Sequence, residues 1–253
     1  MDVRNYMQKL IVGNLKMNME NVSQRDMYCK EYAEEIAKLK TKHEVVICPP
    51  VIYLEYFCRT LGHVTKIGTQ DCFWELYGSY TGNTSPKSIV SLGAQYVIIG
   101  HSEHREFNHE TDEDVTKKAK IALRVGLTPI VCVGFLSQND EMESIREQVN
   151  AVAEKLDAEE VVKTVFAYEP AWAIGSGKTP TSDEIHTVIM FMRSIFVHQY
   201  GKEVTSKIKI IYGGSVVAEN VADVCTKSYT DGVLVGHASL SPENFIRIVR
   251  MLN

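Results

Sequence analysis

Apolar residues along this chain gather in short runs rich in Val and Ile, at positions 10–12, 44–48, 64–67, 96–99, 129–133, 164–168, 208–212 and 232–235. Gly, Pro, Asn or Asp bounds each run, and their nearly continuous apolar character predicts strands buried on both faces of a parallel sheet. Helical periodicity fills much of the intervening sequence. Thr181-Ser182-Asp183-Glu184 is a capping-box pattern, followed by Ile185, Val188, Ile189, Met192 and Phe196 at spacings of three and four. Ser241 and Pro242 open a last helix with Phe245, Ile248, Val249 and Leu252 on one face. Residues 111–124 and 142–156 also read as helices, and the stretches 51–61 and 85–92 give shorter, more β-prone ones. Eight strands alternating with helices, without a linker or low-complexity segment, imply either a closed α/β barrel or a large doubly wound sheet. The strand count favours the barrel. A dinucleotide-binding sheet would need a Gly-rich turn after its first strand, and residues 13–18, GNLKMN, lack GxGxxG.

Composition narrows the picture only a little. The 253 residues suit one barrel domain spanning 1–253, with 45% hydrophobic and 23% charged residues. A net charge of -5 and a pI near 5.9 give no sign of a nucleic-acid or membrane partner. The six cysteines, at 29, 48, 58, 72, 132 and 225, form no CxxC pair and read as reduced core thiols. No signal-peptide core and no apolar stretch of membrane-spanning length is present, so the expected location is the cytoplasm.

Residues 165–178, VFAYEPAWAIGSGK, change character halfway along. An apolar strand ends at Glu169, and a segment with Pro170 at its start and Gly175-Ser176-Gly177 near its end reads as a loop with stiff hinges. A carboxylate ahead of a Gly-rich flap can abstract a proton and then be shielded from water. Taken alone, Glu169 reads more readily as a surface residue ahead of an ordinary loop.

In a barrel, strand C-termini share one face even when they are far apart in sequence. That face would collect Asn14 and Lys16 after strand 1, His101 and Glu103 after strand 4, and Glu169 after strand 6. Strands 7 and 8 would add Gly213-Gly214-Ser215 and Gly236. Gly-rich turns there can cradle a phosphate, because bare N–H groups approach an anion closely. The carboxylate can then remove a proton from a carbon beside a carbonyl while the imidazole donates to the carbonyl oxygen, with Lys16 answering negative charge and Asn14 fixing position. His101 alone could be a satisfied core histidine and Lys16 a solvated cation; their joint placement at strand tips favours chemistry. His101, His104 and His109 raise the question of a metal, but HSEHREFNH matches neither HExxH nor a usual zinc spacing, and no metal is expected.

These blocks resemble the triosephosphate isomerase family over essentially the whole chain: GNLKMN (13–18), IIGHSEHRE (98–106), AYEPAWAIGSGKTPT (167–181), IYGGSV (211–216) and GVLVGHASL (232–240). The resemblance implies a TIM barrel, a homodimer and no cofactor. It implies interconversion of dihydroxyacetone phosphate and D-glyceraldehyde 3-phosphate through an enediolate, in glycolysis and gluconeogenesis. It also implies Glu169 as proton acceptor, His101 as electrophile, Asn14 and Lys16 as substrate contacts, residues 170–178 as a lid, and Gly175, Ser215 and Gly236 as phosphate ligands. Two alternatives stay open: an isomerase of a related ketose phosphate such as erythrulose phosphate, and a barrel that binds a phosphorylated metabolite without turning it over.

Four positions depart from the family pattern. His237 stands where a second Gly of the phosphate turn is usual, with its N–H still able to donate. Phe135 replaces the Glu of CVGE. His104 replaces an Arg and Asn83 a Glu; in the family these two positions resemble partners of an ion pair across the dimer interface, which would pack the segment near Tyr80-Thr81-Gly82 against the partner's Asn14 and His101 region.

Overall fold

The computed structural model describes residues 8–134, 141–170 and 180–253. Eight strands, β1 Leu10–Asn14, β2 Glu44–Cys48, β3 Lys66–Thr69, β4 Tyr96–Ile99, β5 Thr128–Val133, β6 Val165–Tyr168, β7 Lys209–Tyr212 and β8 Gly232–Val235, close into one barrel in chain order. Every neighbouring pair is parallel, and β8 returns to β1 with Val235 opposite Gly13. The expected (β/α)8 architecture is therefore the observed one.

Strand alternation sorts the apolar runs into two layers. Leu10, Val12, Val46, Cys48, Ile98, Cys132, Ala167, Ile211 and Leu234 fill the barrel interior, while their neighbours Ile11, Ile47, Val131, Phe166 and Ile210 face the helices. The same alternation carries past the strand ends: Asn14 follows Val12 inward, and Glu169 follows Ala167. A two-residue period thus aims both side chains at the barrel mouth.

The third strand lies two residues later than its apolar run suggests. The N–H groups of Val64 and Thr65 donate to the Leu61 carbonyl, finishing a helix rather than entering the sheet. Gly68 then takes an interior position that no larger residue could occupy, because a Cβ there would stand 2.6 Å from the Cys48 sulfur and 3.0 Å from Tyr96 Cβ.

Helices follow in order: α1 Val22–Ala37, α2 Leu54–Leu61, α3 Pro86–Ser91, α4 Ser102–Phe107, α5 Asp112–Val125, α6 Glu141–Ala153, α7 Ala158–Val162, α8 Ser182–Thr205, α9 Val221–Lys227 and α10 Pro242–Met251. Thr181 and Glu184 form the expected capping box of α8, Ser241 caps α10 ahead of Pro242, and Thr111 with Asp114 boxes the start of α5. The expected stretch at 51–61 resolves into a 3₁₀ turn, Val51–Tyr53, followed by α2. Helices α1, α4, α7 and α9 were not legible in the pattern. In α1 the buried stripe is Tyr28, Cys29, Tyr32 and Ile36, so much of its apolar signal comes from residues with polar tips; α4 and α7 span 6 and 5 residues, too few to display a period.

Candidate active site

A pocket of about 280 Å³ opens at the strand C-termini and is lined by Asn14, Lys16, His101, Glu169, the Gly213–Ser215 turn and the Gly236–Ala238 turn. Residues from five strand ends thus meet, although 222 positions separate Asn14 from Gly236. Gly175 and the expected lid beyond Pro170, like Phe135, lie outside the described residues.

Helix α4 sets the imidazole. His101 is its N-cap, and Nδ1 accepts the Glu103 N–H at 3.2 Å. That bond leaves the ring proton on Nε2, which points at Glu169 Oε1 from 3.2 Å. The second Glu169 oxygen accepts the Ser102 N–H at 3.0 Å. Glu169 is only 2% exposed, its backbone N–H donating to the Val133 carbonyl at 2.8 Å. Beneath it, burial first and then the Glu169 carboxylate push the Cys132 thiol well up, so a neutral S–H underlies the acid.

Lys16 has φ of 49°, a left-handed conformation that a long side chain adopts only when its surroundings hold it there. Three contacts do so. Asn14 Oδ1 accepts the Lys16 N–H at 2.9 Å, Gln70 Nε2 donates to the Lys16 carbonyl at 2.9 Å, and the ammonium sits 2.7 Å from Glu103 Oε1. Glu103 therefore places both Lys16, through its carboxylate, and His101, through its N–H. Gly236 leaves room for the lysine stem: a Cβ there would stand 3.3 Å from Lys16 Cε.

The two Gly-containing turns supply donors. The Gly213 N–H is spent on the Tyr168 carbonyl at 2.7 Å, whereas those of Gly214, Ser215 and His237 find no backbone acceptor among the described residues. Asn220 pins the first turn by accepting the Val217 N–H and donating to the Ser215 carbonyl. Ser239 Oγ ties the second to β1 by bonding the Asn14 and Gly236 carbonyls, at 3.1 and 2.7 Å. His237 is exposed and borders both the pocket and a neighbouring groove that also contains Arg247. Backbone donors without an acceptor, a cation, an N–H-bearing imidazole and a buried carboxylate around one pocket can together hold an anion and shuttle a proton between adjacent carbons.

A family profile described as triosephosphate isomerase matches residues 9–252. The chain belongs to the triosephosphate isomerase family. Among curated relatives, the triosephosphate isomerases of Streptococcus pyogenes serotype M49 (strain NZ131) and serotype M1 are each 40% identical over 248 residues, covering 96% of this chain and 98% of the relative. The match spans the described barrel from β1 to the end of α10.

Against that family background, the residues missed by sequence reading are supports. Gln70 stands at the true end of β3 and came into reach only because that strand is displaced by two residues. Ser102, Asn220 and Ser239 act through a backbone N–H, an amide and a hydroxyl whose partners are distant or local in ways a motif does not mark. Of the departures, Asn83 is exposed and donates its N–H to the Tyr80 carbonyl, while His104 approaches Asp71. Ligand atoms of Asp71, His104 and Glu110 lie within 4.8 Å of one another. The Lys118 ammonium already bridges the two carboxylates, so that cluster is built for an internal cation rather than a metal.

Proposed function

We propose that this chain interconverts dihydroxyacetone phosphate and D-glyceraldehyde 3-phosphate through an enediolate, with Glu169 as the base and His101 as the hydrogen-bond donor to the substrate oxygens. The contact that carries this reading is the 3.2 Å approach of His101 Nε2 to Glu169 Oε1, with Nδ1 occupied by the Glu103 N–H. An imidazole held by that bond presents one proton to the pocket, beside a carboxylate with little access to water. A substrate entering between them takes the donor from His101 and releases Glu169 to face the carbon that loses its proton. Lys16 answers the charge of phosphate and enediolate, and Asn14 holds the loop that carries it. The phosphate is received by the N–H groups around Ser215, Gly236 and His237, with Gly175 as a further ligand from the lid. Glu103 is a supporting residue.

The reading extends to one catalytic domain, a homodimer, and a cytoplasmic place in glycolysis. The dimer is supported by large exposed apolar residues such as Met17, Ile52, Tyr77 and Phe107 near the active-site end of the barrel. The deciding experiment is a coupled assay of isomerisation in both directions, run beside erythrulose phosphate. Turnover of triose phosphate with the higher kcat/KM is expected; a preference for the four-carbon substrate, or no turnover of either, would overturn the assignment. Light scattering at micromolar concentration should give twice the mass of the chain, and a monomer would refute the dimer.

A further inference from the structure

Helix α4 presents to the pocket the His101 ring, the Ser102 N–H and, through Glu103, the Lys16 ammonium. One turn further along the same helix, His104 Nδ1 lies 3.8 Å from Asp71 Oδ2 and 3.2 Å from the Asn108 side-chain amide, which can offer its oxygen to a protonated ring or its N–H to a neutral one. Asp71 Oδ1 in turn accepts the Lys118 ammonium of α5 at 2.6 Å, and Lys118 also meets Glu110, whose other oxygen accepts the Gly100 N–H at 2.9 Å. Glu110 and Lys118 are nearly inaccessible, at 4% and 7% exposure.

Two carboxylates here share one ammonium. Of the other charged groups on α4, Arg105 is committed to Asp112 at 2.6 Å and to the Gly100 carbonyl, Glu103 to Lys16, and Glu106 is exposed. Among the described residues, the cluster therefore carries one uncompensated negative charge unless the His104 ring is an imidazolium. Burial, joined by Glu110, lifts the Asp71 carboxyl above its usual range against the pull of Lys118 and His104, as expected of an acid short of positive charge.

We propose that His104 is a positioning residue whose positive charge completes the Asp71–Glu110–Lys118 cluster and so holds α4, with His101 and Glu103, in register with Glu169 and Lys16. The inference rests on the proposed isomerase function for its activity readout, and it adds a dependence on pH that the catalytic groups do not require. A histidine can gain or lose its charge with pH, whereas Arg at this position would be charged throughout.

The test is a cycle of His104→Gln, His104→Arg, Asp71→Asn and the Asp71→Asn/His104→Gln double variant, with kcat and KM measured at pH 6 and pH 8. Comparing variants with wild type at one pH cancels the titration of the substrate phosphate. His104→Gln should lower kcat about fivefold at pH 6, with KM changed less than about twofold, and lower it less at pH 8; in the Asp71→Asn background it should cost less than about twofold at either pH. His104→Arg should match wild type at pH 6 and exceed it at pH 8. A Gln effect that is equal at both pH values, or undiminished with Asn at position 71, would overturn the proposal. So would a loss that vanishes as enzyme concentration rises, because that loss would belong to subunit assembly. If wild type itself fails to isomerise triose phosphate, the functional assignment fails instead, and the same cycle read by thermal melting at the two pH values tests the charge coupling independently.

Discussion

At the floor of the barrel, the charged side chains are matched by other groups of the protein. Glu44 accepts the Tyr96 hydroxyl at 2.7 Å and lies 3.2 Å from Lys209, so the first residues of β2, β4 and β7 close the interior together. Lys9 donates to the Thr230 and Cys225 carbonyls, and His43 accepts the Lys9 N–H while its other nitrogen bonds the Leu252 carbonyl. The mouth is different. Lys16 is held in a strained conformation, N–H groups of both turns have no backbone acceptor, and the buried Ser102 Oγ and Tyr212 Oη have no partner among the described residues. Unmet polar groups in a buried setting cost stability. Arg193 Nε and Ser228 Oγ, toward the floor, are unmet as well, so the mouth differs not in the number of such groups but in opening onto a pocket where a ligand can complete the bonding.

If that contrast is right, changes at the mouth should remove activity with little loss of stability, and changes at the floor should do the reverse. The largest effect belongs to Glu169→Gln, which should lower kcat by about 10² to 10⁴ while a melting experiment shows an unchanged or slightly higher Tm. Wild-type turnover in that variant would break the mechanism. Lys16→Met should come next, with kcat/KM down by about 10²-fold as an electrostatic contact to the substrate is lost. Its strained backbone should remain tolerable, as a circular dichroism melt would show.

At the floor, Lys9→Met should leave kcat within about twofold yet lower stability by about 1–3 kcal/mol in a denaturant titration, since two buried carbonyls lose their donor. Loss of activity without loss of stability there would sink the comparison. His237→Gly should change KM by less than about tenfold, since an exposed ring at the edge of the pocket leaves the backbone donor in place.

The smallest effect concerns acid. Burial would raise the Glu44 carboxyl, but the Tyr96 hydroxyl and Lys209 outweigh it and the net shift is downward. A lowered folded-state value means a stabilising contribution present above the ordinary glutamate range near 4.3 and lost as pH falls below it toward the folded value. Burial likewise lowers His43, partly offset by its bond to the Leu252 carbonyl, so its neutral form favours the fold and stability drops as pH falls below about 6.5. Glu44→Gln should therefore flatten the low-pH end of the Tm profile by a few degrees and leave the segment above pH 6 alone. An unchanged slope below pH 4.5 would show that the floor pair contributes little.

The sequence by itself determined the barrel. Eight Val- and Ile-rich runs, bounded by turn residues and separated by helical stretches, leave few ways to bury both faces of each strand, and the closed parallel sheet is the one the chain adopts. Local signals also placed the capped helices at Thr181 and Ser241, because a cap and its partner lie within three residues. The mouth residues were legible for the same reason: a two-residue period run past the end of a strand aims Asn14 and Glu169 inward. Tertiary structure alone decided what depends on distant partners. β3 slipped two residues because a helix end claimed Val64 and Thr65 and because Gly68 must pass Cys48 and Tyr96, and that slip brought Gln70 to Lys16. The Lys16 conformation, the Ser239 tie between first and last strands, and the meeting of Asp71, Glu110 and Lys118 beside His104 likewise arise between segments far apart in the chain. A one-dimensional pattern records which residues want burial, but not which charges and carbonyls will find themselves neighbours once burial is achieved.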